Sequence, residues 1–134
     1  MEREYGNRLH FETHIEPDLF IEAEETSLRL SLSNLVSNAC KYGGEGSTVS
    51  LSLKQMDDDI LLQVSDEGPG VPDAYKKSIF KKFYRSGDAL TQVHRGTGLG
   101  LYVVSETVKR LKGKIWVEDR MGGGSTFNLL IKSL

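Results

Sequence analysis

Apolar residues recur along the chain with two different spacings, which predict strands in some segments and helices in others. The segments Leu9–His14 and Leu19–Ala23 are expected to form two short strands around a turn at Pro17. Over Glu24–Tyr42 the spacing changes to every three or four residues, which predicts an amphipathic helix that ends before Gly43. The apolar face of this helix consists of Leu28, Leu32, Leu35, Val36 and Ala39.

The remaining apolar segments predict a hairpin, two further helices and a closing pair of strands. Val49, Leu51 and Leu53 alternate with polar residues, and the same pattern returns at residues 60–64 after an acidic turn, as in a β-hairpin. The later elements are a short helix over Asp73–Tyr84, an amphipathic helix built on Leu101, Val104, Val108 and Leu111, and strands over Lys114–Glu118 and Ser125–Lys132. This order predicts an α+β fold, a two-layer sandwich in which helices cover one face of a mixed, mostly antiparallel sheet.

Composition narrows the class of protein. The chain has 134 residues, of which 38% are hydrophobic and 27% charged, and this suits a single domain, residues 1–134, with one core. A net charge of -2 argues against a general nucleic-acid binder, and no apolar run is long enough to cross a bilayer. The single cysteine, Cys40, can form neither an internal disulfide nor a cysteine-cluster zinc site, so we expect a reducing, cytoplasmic environment.

The first predicted helix carries a polar stripe beside its apolar face. Asn34, Asn38 and Lys41 follow one another at positions i, i+4 and i+7, with Tyr42 beside them, so they share one side of the helix. Amide oxygens suit a hard cation such as Mg²⁺, and a lysine suits a phosphate. A solvated helix face would also accommodate these residues, although two asparagines are unfavourable inside a helix. The stripe is therefore a candidate polar site.

Glycine is the unusual component of the composition, with 14 residues. Gly68–Gly70 follows a predicted strand that ends at Asp66, and Gly122–Gly124 joins the last two strands. Gly96–Gly100 opens the second amphipathic helix, where free N–H groups and the helix dipole favour a phosphate. Its GxGxG spacing matches neither the Rossmann fingerprint nor a Walker A loop. The pattern therefore argues against two common nucleotide folds but not against phosphate binding.

Five segments of the chain carry a family resemblance when they are taken together. They are Asn34–Tyr42, Asp66–Val71, Ile79–Arg85, Gly96–Leu101 and Gly122–Phe127. In this order they resemble the N box, first glycine box, F box, second glycine box and third glycine box of bacterial sensor histidine kinases, in the GHKL superfamily. The third glycine box has Ser125 where threonine is usual. The resemblance covers the chain from about residue 9 onward and implies the Bergerat ATP-binding fold.

The resemblance implies a role for each residue of the site. Asn38 would hold Mg²⁺ through its side-chain oxygen, with Asn34 beside it, and Lys41 would reach the phosphates of ATP. Tyr42 would pack near the base or sugar, and Asp66 would accept a hydrogen bond from the adenine amino group. The implied catalytic residues are Asn34, Asn38 and Lys41. Further implied ATP contacts are Gly68, Gly70, Val71, Phe80, Phe83, Arg95, Gly96, Thr97, Gly98, Leu99, Gly100, Leu101 and Ser125.

The resemblance also implies a lid over the ATP, formed by about Asp73–Arg95. Gly96–Gly100 would be its hinge and phosphate cradle, and Gly68–Gly70 would let the backbone approach the adenine. Phe80 and Phe83 would anchor the lid, although simple core packing explains them as well. Little apolar content holds residues 86–96, so we expect this part of the lid to be mobile without nucleotide.

The implied function is that of a protein-histidine kinase in two-component signalling. It would bind Mg-ATP and donate the γ-phosphoryl group to a histidine on a separate dimerisation domain, with a response regulator as the further partner. His10, His14 and His94 do not lie in a helix that could carry such an acceptor, so we expect one domain of a longer kinase, in which only other parts would contact a membrane. A stand-alone anti-sigma-factor serine kinase of the same superfamily and a non-catalytic nucleotide-binding module are the alternatives. Asn34 favours the histidine kinase, since hydrolysing and anti-sigma members typically carry glutamate there.

Overall fold

Five strands, two α-helices and two short 3₁₀ turns make up the part of the chain that the computed structural model describes, residues 10–21, 23, 25–43, 46–81 and 100–133. In chain order they are β1 (His10–Ile15), α1 (Glu25–Gly43), β2 (Thr48–Met56), β3 (Asp59–Asp66), 3₁₀ turns at Asp73–Tyr75 and Ser78–Phe80, α2 (Gly100–Arg110), β4 (Lys114–Asp119) and β5 (Ser125–Lys132). The two amphipathic helices, the hairpin and the closing strands predicted from the sequence are confirmed. Neither α1 nor α2 is long and apolar enough to cross a membrane.

The strands form one mixed sheet in the order β1-β2-β3-β5-β4. β1 runs parallel to β2, and every other pair of neighbours is antiparallel. A parallel pair needs a crossover connection, which the chain between β1 and β2 supplies through α1. In the register of β3 and β5, Asp66 lies opposite Ser125. The sheet is thus the mixed, mostly antiparallel sheet that the sequence predicts.

The core lies between the two helices and one face of the sheet. Leu35 and Ala39 of α1, and Val104 and Val108 of α2, are at most 2% exposed and belong to one apolar cluster. The sheet contributes Val49, Leu62, Val64, Val117, Phe127, Leu129 and Ile131 to this cluster. Full burial of a leucine or valine side chain contributes about 1.5–3 kcal/mol to stability. Cys40 is buried in the same cluster and packs there as a free thiol.

The opposite face of the sheet carries a row of hydrogen-bonded polar side chains. Ser52 donates to Gln63 at 3.3 Å, Gln63 donates to Asn128 at 2.8 Å, and Asn128 donates to Glu118 at 3.0 Å. Buried polar groups need hydrogen-bond partners, and this row supplies them to the side-chain amide of Asn128, which is 0% exposed. Trp116 lies opposite Asn128 in the register and remains 37% exposed.

The segment Leu19–Ala23 does not form the strand that its apolar residues suggest. Its described residues belong to no strand, and Phe20 is 62% exposed. Asp18 turns the chain with a φ of 60°, and the segment then leads into α1. Ile21 of this segment is partly buried against the core cluster, so the segment packs on the core and does not extend the sheet.

The prediction of a single short helix over Asp73–Tyr84 is wrong for residues 73–81, the part of this segment that the structure describes. Two separate 3₁₀ turns, Asp73–Tyr75 and Ser78–Phe80, take its place. The ring of Phe80 packs edge-on against Phe127, with 6.1 Å between the ring centroids. The segment thus forms two 3₁₀ turns, and Phe80 at the end of the second contacts the core. The local sequence pattern does not contain this tertiary contact.

Candidate functional site

A cavity of about 340 Å³ lies between α1, the start of α2, the sheet and the segment that follows β3. Its polar lining consists of Asn34, Ser37, Asn38, Lys41, Tyr42, Asp66 and Ser125. Its mainly apolar lining consists of Pro69, Val71, Pro72, Tyr75, Ile79, Leu101 and Phe127, with the backbones of Gly70 and Gly100. An apolar cavity of this size with a few convergent polar groups is the usual form of a small-molecule site.

The polar stripe of α1 forms one wall of this cavity. Asn34, Asn38 and Lys41 line it, whereas Leu35 and Ala39 on another side of the same helix face the core. The division follows from the rotation of about 100° per residue along a helix. Amide oxygens and an ammonium group on one wall can bind a cation and an anion, respectively.

The stripe also meets the first turn of α2. Asn34 Nδ2 lies 3.4 Å from the carbonyl oxygen of Gly100, to which it donates a long hydrogen bond. Gly100 begins α2, and both Gly100 and Leu101 line the cavity. The first N–H groups of a helix lack partners within the helix and favour negative charge. This part of the cavity is therefore suited to an anionic group.

Asp66 is the buried carboxylate of the cavity. It ends β3, is 2% exposed and accepts a hydrogen bond of 2.9 Å from the N–H of Gly68. Burial raises the pKa of Asp66 above its ordinary value of 3.8, against the lowering effect of the Gly68 and Ser125 N–H groups and the charge of Arg120. An ionised carboxylate can only accept hydrogen bonds, so it selects a donor group on a bound ligand.

Asp66→Asn is expected to stabilise the ligand-free domain at neutral pH. Because folding raises this pKa, the proton on Asp66 stabilises the fold below the unfolded pKa, and this contribution is lost as the pH rises through the folded pKa. Asparagine removes the buried charge, and its side-chain oxygen can still accept from Gly68. Thermal denaturation should show the variant melting higher at pH 7, with the difference shrinking as the pH falls towards 3.8. Identical pH profiles of the two proteins would contradict this expectation.

Two glycines allow the backbone around Asp66 to pack closely. A Cβ at Gly68 would lie 2.3 Å from the carbonyl oxygen of Tyr42, and a Cβ at Gly124 would lie 2.0 Å from the carbonyl oxygen of Asp66. Gly124 also has a φ of 101°, which residues with a side chain rarely adopt. The backbone that carries Asp66 is therefore held between the end of α1 and the β4–β5 turn.

Gly124→Ala is expected to destabilise the fold by about 2–6 kcal/mol, because overpacking and strain at a positive φ each cost about 1–3 kcal/mol. Gly123→Ala is the matched control. Gly123 has a φ of 110°, but a Cβ there would meet nothing within 4 Å. This variant should therefore lose only the stability that strain at a positive φ costs, about 1–3 kcal/mol. Denaturant unfolding of both variants measures the difference. Equal losses would show that the close approach to Asp66 does not constrain position 124.

Comparison with known proteins identifies the family to which this chain belongs. Residues 23–133 match the HATPase_c family model, described as histidine kinase-, DNA gyrase B-, and HSP90-like ATPase. The chain belongs to the HATPase_c family. Every described residue that lines the cavity falls inside the matched range, so the cavity lies within the HATPase_c domain.

Relatives of this HATPase_c domain include sensor histidine kinases from several bacteria. It is 36% identical over 116 residues to the sensor histidine kinase WalK of Bacillus subtilis, and the alignment covers 85% of this chain and 19% of WalK. It is 35% identical over 128 residues to the adaptive-response sensory kinase SasA of a Synechococcus strain, covering 94% of this chain and 33% of SasA. The chain thus spans a third or less of the length of these relatives.

Solved structures show the same architecture for the HATPase_c domain. The mycobacterial sensor histidine kinase MprB matches with a TM-score of 0.84 at 26% identity, covering 98% of this chain and 86% of that chain. The nucleotide-free catalytic domain of the histidine kinase ThkA matches with a TM-score of 0.83 at 29% identity, covering 98% of this chain and 82% of that chain. These likenesses confirm the predicted α+β sandwich of the Bergerat type.

The HATPase_c cavity brings together many of the residues that the sequence predicts for the site. Those that line it are Asn34, Asn38, Lys41, Tyr42, Asp66, Gly70, Val71, Gly100, Leu101 and Ser125. Gly68 does not line the cavity but packs against Tyr42, and Phe80 packs against Phe127. Phe83, Arg95, Gly96, Thr97, Gly98 and Leu99 lie outside the described residues, as do residues 86–96, for which the sequence predicts mobility.

The sequence reasoning missed Ser37, Pro69, Pro72, Tyr75, Ile79 and Phe127 as lining residues of the HATPase_c cavity. Ser37 lies three residues after Asn34 and four before Lys41, so helical spacing was a signal that could have found it. Tyr75 and Ile79 lie in the two 3₁₀ turns, whose path the sequence pattern did not predict. Their place at the cavity depends on tertiary packing.

Proposed function

We propose that this domain binds ATP with Mg²⁺ and donates the γ-phosphoryl group to a histidine on a separate dimerisation domain, in two-component signal transduction. The observation that carries the proposal is one cavity lined by a buried carboxylate, Asp66, and by the amide and ammonium groups of Asn38 and Lys41. The family match and the sensor kinases among the relatives support this reaction class.

In this proposal Asp66 recognises the adenine base. Adenine carries an amino group, a hydrogen-bond donor, where guanine carries a carbonyl oxygen, an acceptor. A carboxylate can only accept, so it pairs with adenine and repels the guanine carbonyl. The apolar lining, which includes Val71 and Leu101, suits the flat base. We therefore expect the cavity to prefer ATP over GTP.

The donors of the cavity fit an Mg²⁺ ion that is bound together with a nucleotide. Among the residues that the structure describes, no group of three or more His, Cys, Asp or Glu side chains could hold a metal ion. Mg²⁺ commonly takes one or two protein ligands and completes its shell with waters and substrate phosphates. Asn38 would supply one side-chain oxygen, with Asn34 beside it, and the bound ion would neutralise phosphate charge. Mg²⁺ is then expected to bind only with nucleotide.

The proposal assigns the acceptor histidine to another domain. His10 and His14 lie exposed on the edge strand β1 and do not line the cavity, and His94 lies outside the described residues. A response regulator is the proposed further partner. The histidine kinase ThkA is known in complex with the response regulator TrrA, and that structure matches with a TM-score of 0.76 at 26% identity, covering 99% of this chain and 36% of that chain.

Asp66→Asn is expected to weaken the binding of Mg-ATP about 10- to 100-fold, since a hydrogen bond to a charged group contributes about 1.5–3 kcal/mol. Titration calorimetry with ATP, ADP and GTP measures the affinities. Asp58→Asn, which changes an exposed residue in the β2–β3 turn, is the matched control and should bind ATP as the wild type does. Equal affinity of the wild type for ATP and GTP would overturn the proposal, and so would unchanged ATP affinity in Asp66→Asn.

A further inference from the structure

One segment supplies much of the cavity wall and is held at both ends by ion pairs. This wall segment, residues 68–75, contributes Pro69, Gly70, Val71, Pro72 and Tyr75 to the lining. The residues that flank it, Glu67 and Lys76, pair with two consecutive residues at the end of β4, Arg120 and Asp119. Both ends of the wall segment are therefore joined to one point of the sheet.

Asp119 holds the end of the wall segment that carries Tyr75. Lys76 Nζ lies 2.9 Å from Asp119 Oδ1 and also pairs with the carboxylate of Asp73. The Lys76 side chain is only 19% exposed, and its hydrogen bonds to Asp73 and then Asp119 raise its pKa, so it stays charged. Because Tyr75 directly precedes Lys76, the ion pair fixes a residue of the cavity wall to the sheet.

Arg120 holds the other end of the wall segment, next to Asp66. Its Nη2 lies 3.4 Å from Glu67 Oε2, and its Nη1 donates to the carbonyl oxygen of Gly123 at 2.9 Å. The second carboxylate oxygen of Glu67 accepts the N–H of Thr48 at 2.8 Å. The guanidinium thus joins the β4–β5 turn to the residue that follows Asp66. Its positive charge also lowers the pKa of Asp66 against the effect of burial.

We propose that Asp119 and Arg120 are positioning residues that fix the wall segment and thereby set the affinity and base selectivity of nucleotide binding. A single exposed ion pair adds little to the stability of a fold. Here, however, the two pairs act on opposite ends of one wall, where a displacement of about an ångström changes the contacts of a bound ligand. The inference rests on the proposed function, since it takes the ligand to be an adenine nucleotide.

Asp119→Asn and Arg120→Gln are expected to weaken ATP binding about two- to fivefold each and to lower the preference for ATP over GTP. The double variant should lose more than the product of the single losses, since one remaining ion pair still limits the freedom of the wall segment. Asp119→Glu and Arg120→Lys, which keep the charges, should recover most of the affinity. Lys114→Gln, at the other end of β4, is the matched control and should bind as the wild type does. Titration calorimetry with ATP and GTP measures all of these affinities.

Hydrogen exchange without nucleotide distinguishes positioning from a general loss of stability. The amides of Gly68 and Tyr75, which are hydrogen-bonded within or beside the wall segment, should exchange faster in Asp119→Asn and Arg120→Gln. The amide of Val64 in β3 should keep its wild-type rate. Uniformly faster exchange across the sheet would overturn the inference, because a weakened fold would then explain the loss of affinity.

The same experiment separates this inference from the function on which it rests. If Asp119→Asn and Arg120→Gln bind ATP and GTP as the wild type does, while Asp66→Asn loses ATP, the inference is overturned and the proposed function stands. If the wild type itself does not select ATP, both are overturned. Lower ATP selectivity in the two variants, with recovery in Asp119→Glu and Arg120→Lys, supports the positioning role.

Discussion

Given Mg-ATP, this domain is expected to leave its own histidines unmodified and to phosphorylate a histidine on an added dimerisation domain. The added domain should be labelled and this domain should not, because phosphoryl transfer depends on holding the nucleophile in line with the γ-phosphate. His10 and His14 lie on β1 and do not line the cavity. Transfer from radiolabelled ATP to each protein, followed by a test for acid-labile phosphohistidine, measures the outcome.

The controls for this transfer reaction address each alternative. A dimerisation domain whose acceptor histidine is replaced by glutamine should remain unlabelled. Phosphohistidine on His10, His14 or His94 would contradict the proposal. Label on a serine of an added protein would favour a kinase of the anti-sigma-factor type, and ATP binding without any transfer would favour a non-catalytic nucleotide-binding module.

The unmodified domain is expected to hydrolyse ATP far more slowly than about 1 s⁻¹, and Asn34→Glu is expected to raise the rate about 10²–10⁴-fold. Water needs a general base to attack the γ-phosphate efficiently, and the amide of Asn34 cannot accept a proton at neutral pH. Glutamate can accept one. Asn34 lines the cavity, so a glutamate at this position would stand in the wall beside the bound nucleotide. Steady-state release of inorganic phosphate measures both rates.

Two further variants identify the cause of any increase in hydrolysis. Asn34→Gln lengthens the side chain without adding a base, so it should hydrolyse ATP no faster than the wild type. Asn38→Ala should instead lose Mg²⁺-dependent ATP binding, because it removes the proposed protein ligand of the ion. Turnover by the unmodified domain at about 1 s⁻¹ or faster would contradict the expectation and favour an ATPase.

The elements that the sequence predicted correctly are those with long, regular apolar spacing. α1, the β2–β3 hairpin and α2 each repeat one buried face over several residues, and the burial of Leu35, Val64 and Val104 confirms these faces. The period of a helix or strand is a local property, so the sequence specifies it without knowledge of the partner. The same local geometry places Asn34, Asn38 and Lys41 on one side of α1, which is why this wall of the polar site could be predicted from spacing alone.

The segments that were predicted wrongly are short and have no sustained period. The described residues of Leu19–Ala23 belong to no strand, and Ile21 among them packs against the core before the chain enters α1. Asp73–Tyr84 starts with two 3₁₀ turns, and Phe80 within it packs against Phe127, a residue far along the chain. In both segments a partner distant in sequence decides the local structure.

The sequence by itself determined the helices, the hairpin and the side of α1 that carries the polar stripe, since all of these follow from local periodicity. Only the tertiary structure decided that Asp66 is buried beside Gly124 and that Asp119 and Arg120 reach both ends of the wall segment. These contacts arise because β3, β5 and β4 are neighbours in the sheet. Pairing between strands distant in sequence is set by the packing of the whole core, and the spacing of residues within any one segment does not contain it.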